Sequence, residues 1–176
     1  HIHDRRQRQM CIRDSSDVIV MRHPLAGSVA EFAEASRVPV INGGDGDNEH
    51  PSQALLDLFT IKKELESHNK EIDTARIALI GDLKFGRAAH SLCKILMLYT
   101  NISIKLVSPD KLKLPDFLIS EFKKKNISIL ETQDIKEGIA DVDIIYMTRI
   151  QEERFDNASE ANKYKGLMSL NQEIYT

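Results

Sequence analysis

Four short polar segments carry the side chains of this sequence that could do chemistry. They are Arg22-His23-Pro24, Asn48-Glu49-His50-Pro51-Ser52-Gln53, Gly81-Asp82-Leu83-Lys84-Phe85-Gly86-Arg87 and Thr148-Arg149-Ile150-Gln151. A guanidinium is a planar fork that pairs with phosphate or carboxylate through two N–H groups. Arg22, Arg87 and Arg149 gathered on one edge would therefore suit a small, strongly anionic ligand. Proline favours the first position of a helix, so His50 is expected at a helix cap, with Gln53 on the same face three residues on. The positive helix end lowers the pKa of a nearby imidazole. A neutral imidazole can donate to a carbonyl oxygen and to the oxyanion that replaces it.

Arg87 opens a helix, where a cation opposes the dipole, and that placement favours a bound anion. Arg149 and Gln151 alternate to one side if the strand before them continues extended. Arg149 would suit a carboxylate, and Gln151 an amine or a carbonyl. Taken singly, several of these residues have plainer roles. His50 could be a cap alone, Arg22 could pair with Glu31 or Glu34, and Gln151 could belong to surface charge running into Glu152-Glu153-Arg154. Residues 77–92 read as strand, glycine turn and helix, but they lack the G-x-G-x-x-G spacing of a dinucleotide loop. His23 and His90 have no second ligand at metal spacing, so no metal is expected. Cys93 lies on an apolar helical face and reads as core.

These segments need a scaffold to converge. Strands are expected over 17–21, 38–41, 76–80, 102–107, 127–131 and 142–147, and helices over 28–37, 51–65, 86–99, 115–125 and 135–140. Residues 42–49, rich in Gly, Asp and Asn, read as a loop, and 66–74 as an inter-domain connection. In the 115–125 helix, Pro115 suits the first turn, the lysines suit the end, and Asn126 suits the left-handed stop. Strands alternating with helices predict an α/β protein with parallel sheets flanked by helices. In such sheets ligands bind at the carboxyl ends of the strands, where the four polar segments stand.

Composition narrows the classes. The 176 residues make a little over one domain's worth of chain, or two domains if one is incomplete. Hydrophobic content of 41% and charged content of 29% are those of a globular protein. A net charge of -3 disfavours a nucleic-acid partner, and no apolar run approaches the roughly 18 residues of a membrane span. Two cysteines make no disulfide framework, which points to a reducing compartment. The cytoplasm is expected, with an organelle such as a plastid left open. Residues 1–16 hold four Arg against two Asp and no apolar stretch, and are set aside as a non-family or artefactual leader.

Together the segments resemble the catalytic chains of aspartate carbamoyltransferase. The resemblance is carried by Val20-Met-Arg-His-Pro24, Asn42-Gly-Gly-Asp-Gly-Asp-Asn-Glu-His-Pro-Ser-Gln53, Gly81-Asp-Leu-Lys-Phe-Gly-Arg87 with His90-Ser-Leu92, and Tyr146-Met-Thr-Arg-Ile-Gln-Glu-Glu-Arg154. It implies a two-domain carbamoyltransferase fold with the site between the domains. Residues 17–66 would be the later half of a carbamoyl-phosphate domain and 73–176 a C-terminally shortened aspartate domain. By the resemblance, Arg22, His50 and Gln53 contact carbamoyl phosphate, Arg22 and His50 as catalytic residues. Arg87, Arg149 and Gln151 hold L-aspartate. It also implies transfer of the carbamoyl group to aspartate in pyrimidine biosynthesis, no cofactor, and a homotrimer with or without regulatory subunits.

The family's Ser-x-Arg-Thr motif, the Ser/Lys loop that follows it and the His-Pro-Leu-Pro segment do not occur. Ser52 and Phe85 stand where Thr and Tyr are common. The chain is accordingly expected to be an internal segment, inactive by itself. The competing readings are an ornithine-type carbamoyltransferase, a non-catalytic ligand-binding relative and a generic nucleotide-binding module.

Overall fold

The structure, a computed structural model, describes residues 15–151 together with Phe155 and Tyr164. Two parallel sheets form. In the smaller, β1 (Ile19–His23) pairs with β2 (Val40–Asp45), and α1 (Ser28–Glu34) makes the crossover between them. The chain then runs through α2 (Pro51–Ser67) into a four-stranded sheet. This contains β3 (Arg76–Ile80), α3 (Arg87–Leu96), β4 (Ser103–Val107), α4 (Asp116–Lys124), β5 (Ser128–Thr132), α5 (Ile135–Ile139) and β6 (Ile144–Met147). Its strand order is β5-β4-β3-β6, all parallel. The chain leaves β3 toward one edge and returns to β3's other side as β6. The loops after β3 and β6 therefore diverge at a point where such sheets open a ligand crevice.

β3 explains the core. Its residues Ile77 to Ile80 are fully buried, as expected for a central strand covered on both faces. Ile77 and Leu79 point to the face packed by Leu92 and Leu96 of α3 and by Leu118 and Phe122 of α4. Ala78 and Ile80 point the other way, to Val107 and the partly buried Ile135 and Ile139 of α5. Cys93 is fully buried in the first of these clusters, and burial pushes its thiol up to about 12.

α2 departs from its expected packing. In the sequence, Leu55, Leu56, Leu58, Phe59 and Ile61 give this helix an apolar stripe. The structure instead buries Ala54, Ile61 and Leu65, with Leu58 packed against them, in the core of the larger sheet. These positions follow the i, i+4, i+7, i+11 rule of a single helical seam. Leu55, Leu56 and Phe59 lie on the remaining surface of the helix and are exposed.

Several boundaries also move. β2 continues to Asp45 and takes in Asn42, Gly43 and Gly44, which composition assigned to a loop, because β1 runs beside them, pairing Met21 with Asn42 and His23 with Asp45. α1 stops at Glu34 and α3 at Leu96, each short of its expected end. Pro115 caps α4 from outside its first turn, and Asn126 takes the left-handed stop with φ 56°. Two short 3-10 turns, Ile72–Thr74 and Asp110–Leu112, were not anticipated. After α2 the chain is tied to the larger sheet by Asp143, which accepts from the Lys70 ammonium, the Arg76 guanidinium and, at 2.8 Å, the Arg76 N–H.

Candidate active site

At the carboxyl ends of β1, β3 and β6 the structure opens a cleft of about 610 Å³. Arg22, Arg87, Arg149 and Gln151 line it, as the strand-end reading predicted, together with Tyr146 and Thr148. His50 and Gln53 do not line it. They lie beside it, with His50 close enough to feel the charges of both Arg87 and Arg22.

Arg22 is placed by an irregularity. Between Met21 and His23 the pairing shifts, so that two residues of β2, Gly43 and Gly44, stand against Arg22 alone. A bulge of this kind bends the ribbon and re-aims a side chain. The Arg22 side chain then lies directly against Gly44, which has no side chain of its own. Asp45, at the end of the same strand, is buried and accepts from the Gly27 N–H at 2.9 Å and from Asn48 at 3.2 Å. The Gly27 hydrogen bond is the main reason its carboxyl is held below the usual range. The carboxylate thus fixes the start of α1 to the loop that leads to His50.

His50 is the N-cap of α2, and Pro51 takes the first helical position. Its Nδ1 accepts the Gln53 main-chain N–H at 3.3 Å and faces the Ser52 hydroxyl at 3.4 Å. An Nδ1 that accepts leaves the proton of the neutral ring on Nε2, which is then the donor. The imidazole is shifted below its ordinary value, chiefly by burial, then by Arg87 and Arg22. The sequence predicted this direction but credited the helix end. The stronger causes come from groups the sequence does not place beside it.

Arg87, whose position at the start of α3 was read as favouring an anion, lines the cleft and also donates one guanidinium N–H to the Gly46 carbonyl. Two further side chains of α3 meet the same loop. Ser91 Oγ accepts the His50 N–H at 3.0 Å, and the Lys94 ammonium pairs with the Glu49 carboxylate. Arg87, Ser91 and Lys94 are spaced i, i+4, i+7, so a single helix face grips residues 46–50.

The loops after β3 and β6 are clasped to each other. Asp82, fully buried, accepts the Phe85 N–H at 2.9 Å and the Gln151 N–H at 3.1 Å. Gln151 donates its amide to the Phe85 carbonyl at 2.7 Å. The sequence read Gln151 as a ligand-binding residue or as part of a charged surface; in the structure its amide holds the neighbouring loop. Gly81 has φ 113°, and a Cβ there would sit 2.3 Å from the Thr148 carbonyl oxygen, so only glycine lets the two strand ends approach. Asp82 was given no role by the sequence reading; the only signal available there was an acidic residue soon after an apolar strand. Of the residues set aside, His90 Nε2 donates to the Leu83 carbonyl at 2.8 Å, and Leu25 N–H donates to His23 Nδ1 at 3.1 Å. Glu152-Glu153-Arg154, residues 1–14 and most of the sequence after Gln151 lie outside the described residues.

Two family models match the sequence. One is described as the carbamoyl-P binding domain of aspartate/ornithine carbamoyltransferase and matches residues 7–63. The other is described as the Asp/Orn binding domain and matches residues 73–175. The aspartate carbamoyltransferase catalytic subunit of Cellvibrio japonicus is 60% identical over 161 residues, which are 92% of this chain and 48% of that protein. That of Thermococcus kodakarensis is 43% identical, over 93% of this chain and 51% of its own length. The chain spans about half the length of the curated relatives it matches. Among solved structures, the catalytic subunit of M. jannaschii aspartate transcarbamoylase superposes with a TM-score of 0.85 at 42% identity, covering 96% of this chain and 54% of that one. The Trypanosoma cruzi enzyme in complex with carbamoyl aspartate and phosphate gives 0.80 at 35% identity, with the same coverage. The parallel sheets, the convergent strand ends and these matches agree: the chain belongs to the aspartate/ornithine carbamoyltransferase family.

Proposed function

We propose that this chain supplies much of the active site of an aspartate carbamoyltransferase. The reaction moves the carbamoyl group of carbamoyl phosphate to the amine of L-aspartate, giving N-carbamoyl-L-aspartate and phosphate, a step of pyrimidine biosynthesis. The observation that carries this reading is the meeting of Arg22, Arg87 and Arg149, from three separate strand ends, on one cleft beside a neutral imidazole. A phosphate and a dicarboxylate need several guanidiniums, and a singly charged amino acid with a cationic side chain does not. This favours aspartate over ornithine.

The roles follow from chemistry. Arg22 pairs with the phosphate. The Nε2–H of His50 donates to the carbamoyl oxygen and strengthens as that oxygen becomes an oxyanion. Gln53 contacts the carbamoyl amide. Arg149 and Arg87 hold the two carboxylates, Arg87 using donors beyond the one engaged by Gly46. The neutral amine attacks the carbonyl carbon, the new C–N bond forms, the C–O bond to phosphate breaks, and the departing phosphate takes up the proton the amine loses. Positioning and oxyanion stabilisation supply the acceleration, with no covalent nucleophile required.

Titration of the chain with a bisubstrate analogue joining a phosphonate to aspartate tests this. Saturable binding that weakens more than about tenfold in Arg149→Ala is expected, as for loss of a bidentate pair. Equal affinity for an ornithine-based analogue would favour the ornithine-type reading. Assay of a full-length catalytic chain carrying this segment separates turnover from binding alone, and its sedimentation checks the homotrimer that the resemblance implies.

A further inference from the structure

The catalytic reading uses Gln53 but leaves open what holds it. Its Nε2 donates to Asp57 Oδ1 at 2.9 Å, one turn further along α2. The other oxygen of the same carboxylate, Oδ2, accepts from the Tyr146 hydroxyl at 2.9 Å. Tyr146 lies on β6, three residues before Arg149, and lines the cleft. One carboxylate therefore receives a donor from each of the two sides that the resemblance assigns to different substrates.

The chemistry of the contact fixes an orientation. A side-chain amide has a donor end and an acceptor end, and a carboxylate only accepts. Turning the Gln53 amide over would set its oxygen against Asp57 Oδ1, two acceptors face to face. The NH2 end is thus committed to Asp57, and Oε1 is the end left to accept from a ligand N–H. Burial, and then the Asp57 hydrogen bond, push the Tyr146 hydroxyl above its ordinary range, so it remains a donor at any working pH.

We propose that Asp57 and Tyr146 are positioning residues. Asp57 fixes the Gln53 amide so that its oxygen receives the carbamoyl N–H, and Tyr146 fixes Asp57 from the strand that leads to Arg149. This rests on the carbamoyl-transfer reading above.

The test is steady-state kinetics in a full-length catalytic chain carrying this segment. Asp57→Asn replaces an acceptor with a group that can also donate, so the Gln53 amide loses its preference. The KM for carbamoyl phosphate is expected to rise about tenfold, the worth of one hydrogen bond to a charged group, with a change under about twofold in the KM for aspartate. Tyr146→Phe should move the same constant in the same direction by a smaller factor. In a Gln53→Ala background, Asp57→Asn should add less than about twofold, because its route of action is already gone.

A full additional loss in that background, or equal movement of both KM values, would mean that the network only staples α2 to the sheet, and would overturn the proposal. Should Asp57→Asn lose its cooperative thermal transition, Tyr146→Phe in the same cycle decides, since it removes a single oxygen. A parent enzyme that makes no carbamoyl-aspartate overturns the catalytic reading and this inference with it. A parent that turns over, with an unmoved carbamoyl-phosphate KM in both variants, overturns the positioning alone.

Discussion

The carboxylate of Asp82 accepts the main-chain N–H of Gln151 from 69 residues away in sequence, and so joins the end of β3 to the end of β6. Its other oxygen holds the Phe85 N–H. Asp82→Asn should break one of the two contacts, because an amide nitrogen would then face one of the two N–H donors. Urea unfolding should show a loss of about 1–3 kcal/mol, the usual cost of leaving a buried polar group unpaired. Binding of the bisubstrate analogue should fall with it, since the Arg149 loop loses its anchor.

Gly81→Ala should be worse than a typical surface change. The backbone there has φ 113°, and the added methyl would meet the Thr148 carbonyl oxygen at 2.3 Å. A strained conformation of this sort costs of order 1–3 kcal/mol, before any displacement of the β6 loop. Differential scanning calorimetry should register a clear drop in Tm. A Tm within one degree or so of the parent, against the shift of several degrees that such a cost gives a chain of this size, would contradict the described approach of the two strands.

His50 should titrate below the ordinary imidazole value of 6.5, since burial and two arginines disfavour its charged form. As pH falls below 6.5 the unfolded chain takes up a proton that the folded chain resists. Stability from this group is therefore present above that value and declines toward the folded pKa. NMR titration of the ring gives the midpoint directly. Arg87→Ala should raise it, and a midpoint at or above 6.5 in the parent would contradict the placement.

Asp143 reports on the joint between α2 and the larger sheet. The Arg76 guanidinium, and then Lys70, hold its carboxyl well below the ordinary value of 3.8. Its contribution is present above 3.8 and is lost as pH falls through the folded value. Asp143→Asn should therefore be less stable than the parent at neutral pH, with the gap closing in acid. Denaturant midpoints measured across that range check it, and a gap independent of pH would refute it.

Elements buried on both faces announced themselves in the sequence. Ile77 to Ile80 is a continuous apolar run, and the polar residues after it could be assigned to a crevice. β2 was only half legible, because Gly43 and Gly44 look like loop residues until β1 is placed beside them. The arginines of the cleft were legible, since each stands in a polar segment near the carboxyl end of a strand. The residues that hold the site were not. Asp82 works through main-chain N–H groups, which every residue carries. Asp57 and Tyr146 are 89 positions apart, and nothing in their types declares that they meet. The apolar face of α2 was misread because the helix is apolar on two sides, and only the larger sheet shows which side it buries.

The grip of α3 on residues 46–50 has a mechanical consequence. Arg87, Ser91 and Lys94 occupy one side of a rigid rod, each seven-residue span bringing the same side round again. Turning that rod by a single residue, about 100°, would carry the three away together. A rigid rotation of the helix would therefore release the Gly46 carbonyl, the His50 N–H and the Glu49 carboxylate together, though they are chemically unlike.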